Sequence, residues 1–349
     1  MHATFNEFRE TFSSVFMEEM ERRVRDYKAT LKLPFYEPVF DQLLEILRGG
    51  KRIRPYILML AHGAIPGAEE TQKSMLKTAM ALECFHAFCL VHDDIMDRSE
   101  RRRGMVTVHE FLRRQLETEA RVGQLVEDAN GQAMLIGDLL HAWSQELLLD
   151  IEDGFKGVVS EFHQLVKEVV AGQMMDVDFT TRLVVSTEDV ERKNHLKTAT
   201  YTFARPVRMG LAIRGADDSI IDDYAVMASK LGDAFQLQDD YLDIFGAPDA
   251  TGKGSMRDIE EGQQTFFTTY VTEHGTDSHK QLLQQILGKP IVGNESEIRT
   301  MLIESGVESA AKERMAEQFA FVKERLTVLK PANVEQWLAL IQFLESRSF

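Results

Sequence analysis

The chain has 349 residues and carries 40 Lys and Arg against 56 Asp and Glu, a formal net charge of −16 with histidines neutral. An acidic excess of that size excludes a non-specific nucleic-acid binder, which needs a basic face. Hydrophobic residues at 44% and charged residues at 28% exclude a disordered chain, and eight prolines, where usage near ~5% predicts roughly 17, favour long helices. In chain order, the opening MHATFNEFRETFSSVFMEEMERR lacks a basic stretch followed by an apolar core, so no secretory signal is expected. Phe5, Phe8, Phe12, Val15 and Phe16 recur at helical spacing, as do Phe40, Leu43, Leu44 and Leu47 before a break at Gly49-Gly50. Further helices are predicted over 54–63, 71–97, 105–119, 130–150, 157–178, 188–203, 207–214, 217–245, 263–274, 278–287, 295–303, 306–329 and 333–346. Convincing strand alternation is absent, which predicts an all-α bundle of about ten or more helices.

Length alone suggests about two domains. No linker rich in Pro, Gly and Ser divides the chain and no short period repeats, so a single domain over 1–349 is expected. The most apolar segment, Ala79 to Val91, is interrupted by Glu83 and His86, and no transmembrane span is expected. Cys84 and Cys89 sit five apart in it and make no disulfide framework, which fits a reducing cytoplasm. Gly246 to Gln264 reads GAPDATGKGSMRDIEEGQQ, a structureless connection that is either a functional lid or an ordinary surface loop.

The strongest motif is HDDIMD, which places Asp93, Asp94 and Asp97 at the end of an apolar helix. Residues i and i+4 share a helix face, so Asp93 and Asp97 present oxygens to one point, at a repulsive cost of roughly 0.2–0.5 kcal/mol. A divalent cation reverses that sign, and Mg²⁺ suits hard oxygen ligands that leave room for water and phosphate. One DDxxD alone reads as a solvated helix end. A second, FQLQDDYLD, repeats the spacing at Asp239, Asp240 and Asp243, again on an apolar helix before a loop. Two such faces opposed across a bundle would hold Mg²⁺ around a polyphosphate.

Basic groups accompany them. Gly49-Gly50-Lys51-Arg52-Ile53-Arg54-Pro55 combines a glycine break, three cations and a proline suited to a first helical turn, and a helix start attracts anions. Arg101-Arg102-Arg103-Gly104 follows the first DDxxD and offers guanidinium forks for phosphate. Each cluster alone reads as a solvated patch; their placement beside a glycine turn and a DDxxD argues otherwise.

GGKRIRP (49–55), HDDIMDRSERRRG (92–104), the pair Gly137-Asp138, GQMMD (172–176), Lys197-Thr198, FQLQDDYLD (235–243) and GKGSMRD (252–258) stand in one order. In these motifs the chain resembles the trans-isoprenyl diphosphate synthases, the polyprenyl synthetases of farnesyl and geranylgeranyl type. The resemblance covers roughly 40–265 and implies an isoprenoid-synthase helical bundle around a deep central cavity, with 266–349 as helical scaffold. It implies a prenyltransferase joining isopentenyl diphosphate to an allylic diphosphate (dimethylallyl, geranyl or farnesyl), with three Mg²⁺ ions, in a cytoplasmic homodimer.

By position, the resemblance makes Asp93, Asp97 and Asp239 direct Mg²⁺ ligands, and Asp94, Asp240, Asp243 and Asp258 supporting or partial ones. Arg102, Lys197 and Lys253 would grip the allylic diphosphate. Gly50, Lys51, Arg54, His86 and Arg103 would hold isopentenyl diphosphate. A lone helical histidine is more often packed or exposed than a ligand, yet an ideal wheel sets His86 within about 20° of Asp93. The Lys197 carbonyl, Thr198 and Gln236 would steady an allylic cation, while Gln173 and Asp176 would orient the basic groups or form an ordinary polar helix face.

Two departures stand out: the lysine of the family's G-K-x-T is Gln263 in Gly262-Gln263-Gln264-Thr265, and the end, ESRSF, has Arg347 as its only cation. Weaker substrate affinity, or reliance on Lys253 and Mg²⁺, is expected. Chain length in the family is set before the first DDxxD, where this sequence has Phe85, Phe88 and small Cys89 and no two-residue insertion. That pattern points to geranylgeranyl diphosphate, then farnesyl diphosphate, although an ideal wheel turns Phe88 about 140° from Asp93. The rivals are a class I terpene cyclase, which would lack GGKRIRP and a full second DDxxD, and a non-catalytic partner subunit, which tends to lose carboxylates.

Overall fold

The computed structural model describes residues 4–182, 184–246 and 256–346. Contacts gather them into two compact units, one of residues up to Met59 with Ala68–Phe155, the other of Leu60–Gly67 with the chain from Lys156 onward.

The first unit begins with α1 (Phe5–Leu31), opened by a capping box in which Thr4 and Glu7 satisfy each other's backbone N–H. Phe12, Phe16, Met20 and Val24 repeat every fourth residue and are buried, so this long helix presents one apolar stripe. A 3₁₀ turn (Pro34–Tyr36) leads into α2 (Glu37–Arg48), which packs on α1, and the Gly49-Gly50 break ends it before α3 (Ile53–His62). α4 (Gln72–Met96) follows, then a hairpin of β1 (Arg101–Arg102) and β2 (Met105–Val106), then α5 (Val108–Thr118) and α6 (Leu125–Leu149). The helix expected from residue 105 thus starts only at Val108, because Arg101 to Val106 pair as an antiparallel ribbon. Its two-residue turn, Arg103-Gly104, has φ of 53° and 80°, the left-handed pair that matches strand twist in a tight hairpin.

α4 and α6 form the closest-packed pair of this unit. Gly137 makes the approach possible, since a Cβ there would run into the His92 ring. The Cys84 thiol donates to the Leu140 carbonyl at 3.2 Å across the same seam. By length and composition the span Ala68–Met96 is apolar enough to cross a membrane despite Glu83 and His86, but 67% of its most apolar window is buried inside the protein. It is a core helix.

The second unit holds α7 (Phe155–Phe179), α8 (Thr187–Asn194), a π-helical segment (His195–Ala204), α9 (Arg205–Ile213) and α10 (Asp218–Phe245). The single helix expected over 188–203 is therefore α for two turns and π thereafter. A four-residue helix, α11 (Arg257–Glu260), lies where an unstructured connection was expected. The tail supplies α12 (Phe266–His274), α13 (Asp277–Ile286), α14 (Glu295–Glu304), α15 (Val307–Leu329) and α16 (Val334–Glu345). α10 is the hub, packed on the π segment, α9, α12 and α15, with Ala228, Leu231, Ala234, Leu237 and Ile244 buried. The motif-free tail has a positional role: the Leu344 carbonyl accepts from Gln238 Nε2 at 2.7 Å, one residue before the second DDxxD.

Candidate active site

The first carboxylate turn terminates α4. The Asp97 N–H donates to the Asp93 carbonyl at 2.8 Å, so helical bonding carries through the DDxxD and sets Asp93 and Asp97 one turn apart on one face. Asp94 between them is buried, and its Oδ1 accepts from Arg102 Nε at 2.6 Å; Arg102 Nη2 also reaches Asp93 Oδ2 at 3.4 Å. Burial lifts the Asp94 carboxyl to about 6, with Arg102 pulling the other way. The hairpin brings Arg102 back along the chain to the carboxylates that precede it.

The same hairpin sends Arg103 elsewhere. Its guanidinium lies over Gly49-Gly50, so a Cβ on Gly50 would meet Arg103 Nη1 at 3.1 Å and Arg52 Nη1 at 3.2 Å, and Gly50 itself has φ of 135°. Only glycine fits both the backbone and the space. Arg52, 3% exposed, is held by Glu83 at 2.7 Å, donates also to the Ser13 hydroxyl and the Leu47 carbonyl, and lies over the Phe16 ring. His86 on α4 is half-buried among these cations. Burial first, then the charges of Arg54, Arg103, Arg102 and Arg52, push its pKa well below the ordinary value. Lys51 is exposed and Arg54 half-buried at the start of α3, beside this cluster in sequence.

Phe88 turns toward α6. Its ring stacks on His141 with centroids 5.1 Å apart and meets Phe85 at 5.2 Å and His92 at 4.5 Å. Phe85 is fully buried and Cys89 half-buried.

In the second unit, α10 carries Asp239, half-buried, and Asp240, 4% exposed. Thr198 Oγ1 donates to Gln236 Oε1 at 2.6 Å, and Gln236 Nε2 donates to Asp240 Oδ1 at 2.7 Å. The other oxygen, Asp240 Oδ2, is buried with no hydrogen-bond partner among the described residues. Asp243 Oδ1 and Oδ2 accept the backbone N–H groups of Arg257 at 3.2 Å and Asp258 at 3.1 Å, which caps α11 and brings Asp258 to the motif. Burial raises Asp240 to about 7; burial and the neighbouring charges of Asp240 and Asp243 raise Asp258 well above the carboxylate range.

Lys197 and Thr198 lie on the π segment, whose wider turn recurs at functional sites in many helices. α7 presses close against it: a Cβ on Gly172 would come within 2.8 Å of the Lys197 backbone nitrogen. One turn on, buried Asp176 accepts from Lys197 Nζ through Oδ2 and from Lys193 Nζ through Oδ1 at 2.8 Å. Gln173 sits half-buried on the same helix. Lys253 and Arg347 lie outside the described residues.

These features can be set beside known proteins. The polyprenyl synthetase family model matches residues 37–303. The chain belongs to the polyprenyl synthetase family. It is 34% identical over 245 residues to the geranylgeranyl diphosphate synthase of Saccharolobus solfataricus, covering 69% of this chain and 68% of that protein. It is 30% identical over 318 residues to the geranylfarnesyl diphosphate synthase of Natronomonas pharaonis, covering 86% and 87%. A geranylgeranyl pyrophosphate synthase from Corynebacterium glutamicum, solved with isoprenyl diphosphate and magnesium, superposes with a TM-score of 0.85 at 27% identity, over 99% of this chain and 98% of that one.

The residues of this polyprenyl synthetase suit Mg²⁺. Asp240 Oδ2 is a buried acceptor lacking a donor, and Asp240, Asp243 and Asp258 crowd like charges that a cation would relieve. Three residues outside the motifs contact candidate residues or their neighbours: Glu83 holds Arg52, Lys193 holds Asp176 and His141 stacks on Phe88. An acid in the middle of the most apolar helix is the one signal that pointed to Glu83; nothing local distinguishes the other two.

Proposed function

We propose that this polyprenyl synthetase is a short-chain trans-prenyl diphosphate synthase, a prenyltransferase that condenses isopentenyl diphosphate head-to-tail with an allylic diphosphate to give geranylgeranyl diphosphate. Farnesyl diphosphate is the next candidate product. The observation that carries the reading is the cationic cradle at Gly49-Gly50, where Arg103 and Arg52 gather over a glycine turn. A cyclase that ionises one allylic diphosphate has no need of a second anion site.

Bound Mg²⁺, three ions on this reading, would supply positive charge at the diphosphate leaving group. Asp93, Asp97 and Asp239 would hold them directly, supported by Asp94, Asp240, Asp243 and Asp258. Arg102, Lys197 and Lys253 grip the allylic diphosphate. Gly50, Lys51, Arg54, His86 and Arg103 seat isopentenyl diphosphate. The Thr198 and Gln236 oxygens and the Lys197 carbonyl face the allylic cation, and the departing diphosphate takes the proton after the isopentenyl alkene attacks. The protein acts as a homodimer in a reducing cytoplasm, each chain working as one synthase domain.

The test is a product assay with Mg²⁺, isopentenyl diphosphate and C5, C10 or C15 allylic partners. Condensation to C20 is expected, and failure with every partner overturns the reading. Phe88, stacked on His141, is proposed as the floor for the growing chain. Phe88→Ala is expected to shift products toward longer chains; an unchanged distribution removes Phe88 from that role.

A further inference from the structure

The close approach of α10 to the π segment sets up a row of side chains that no single motif defines. Gly232 lies against Ala199: a Cβ there would come within 2.6 Å of the Ala199 Cα and 2.9 Å of its Cβ. One turn further along α10, Gln236 stands within reach of Thr198, and buried Asp240 follows one turn beyond on the same helix face. Hydrogen bonds join them in that order. Thr198 Oγ1 donates to Gln236 Oε1 at 2.6 Å, and Gln236 Nε2 donates to Asp240 Oδ1 at 2.7 Å.

The chemistry of the far end fixes the sense of the row. A carboxylate has no proton to give, and an acid protonated on Oδ2, which has no partner among the described residues, still accepts through Oδ1. Asp240 therefore takes the NH2 of Gln236. An amide has one donor end and one acceptor end, so Oε1 is left facing Thr198. Thr198 must then donate: its hydrogen is committed to Gln236, and its oxygen lone pairs are left for another partner. With the amide reversed, NH2 would face Thr198, the hydroxyl would accept, and its hydrogen would be free to swing toward developing positive charge. We propose that Asp240 is a positioning residue for ionisation, the step in which the allylic C–O bond breaks and its electron pair leaves with diphosphate. By holding the Gln236 amide in one sense, it keeps the negative end of the Thr198 hydroxyl dipole available to the allylic cation. Dipoles fixed beforehand stabilise charge without reorganising as it appears. This work falls to Oδ1 and is separate from the support that Oδ2 would give a metal ion. The proposal rests on the assignment of Thr198 and Gln236 to the allylic cation.

A double-mutant cycle on kcat tests it, with Mg²⁺ and both diphosphates saturating: Thr198→Val, Asp240→Asn and the two combined. Thr198→Val keeps the side-chain shape and removes the hydroxyl. Asp240→Asn offers Gln236 an NH2 as readily as an oxygen, so the amide loses its fixed sense. Each single variant should lower kcat about tenfold and leave both KM values within about twofold. In the Thr198→Val background, Asp240→Asn should cost no more than about twofold, because the hydroxyl it orients is gone. A carboxylate that serves only packing or metal binding would cost the same factor in both backgrounds. If Thr198→Val lowers kcat and the two factors multiply, the Asp240 proposal fails while the Thr198 assignment stands. If Thr198→Val leaves kcat unchanged, both fall. Should Asp240→Asn fail to fold, Asp240→Leu, which removes the buried carboxyl altogether, takes its place in the same cycle and is read by the same rule.

Discussion

Asp93→Asn is expected to lower kcat for condensation about 10³-fold while leaving the fold intact. The substitution keeps the side-chain volume and an oxygen for Arg102 Nη2, so the 3.4 Å contact has a neutral replacement. What disappears is one full negative charge on the face shared with Asp97. A bound divalent ion contributes several kcal/mol of charge stabilisation to a departing phosphate, and losing about 4 kcal/mol of it corresponds to the stated factor. Asp239→Asn should behave alike. Single-turnover rates over a Mg²⁺ titration check the prediction: the variants should need more Mg²⁺ and never reach the wild-type plateau. A plateau within tenfold of wild type for both would remove these two carboxylates from the metal set.

The second large effect is on stability. Glu83→Gln leaves the Arg52 guanidinium buried without its counter-charge, since the two side chains are 3% and 5% exposed and bonded at 2.7 Å. Breaking one partner of such a buried pair costs about 3–5 kcal/mol. For a chain of this size that lowers the unfolding midpoint by roughly 4–7 °C. Arg52→Met/Glu83→Met, which removes both charges and keeps apolar bulk over Phe16, should recover most of the loss. Calorimetry on the three proteins decides it. A Glu83→Gln midpoint within about 2 °C of wild type would show the pair to be dispensable. The isopentenyl KM of Glu83→Gln should rise as well, because the Arg52 and Arg103 guanidinium groups share the space over Gly50.

What was legible in the sequence is what depends on nearby residues. Apolar spacing located the long helices to within a few residues, from Gln72–Met96 to Asp218–Phe245, because periodicity is a local property. The DDxxD faces were legible for the same reason. The hairpin was hidden: strands of two residues are too short for apolar alternation to show, and only pairing of Arg101 with Val106 makes the segment a ribbon. The π segment HLKTATYTFA has an ordinary helical composition, and its wider turn accompanies the close approach of α7 at Gly172. Glu83 acquires meaning from Arg52, 31 residues away, and Lys193 from Asp176 and the Gln264 carbonyl, 17 and 71 residues away, so no local pattern of a few residues connects them.

The left-handed turn at Arg103-Gly104 divides labour between two neighbouring side chains. Arg102, in the strand, leans on the carboxylates; Arg103, at the tip, covers the glycine cradle. One ribbon therefore serves the sites proposed for two different diphosphates, and the spacing of those sites is tied to the geometry of a single turn. A one-residue insertion there would not simply lengthen a loop. It would slip the Arg102 to Met105 pairing, redirect both guanidinium groups together and disturb both sites at once. The turn is thus a coupling point where altering recognition of one substrate necessarily alters the other.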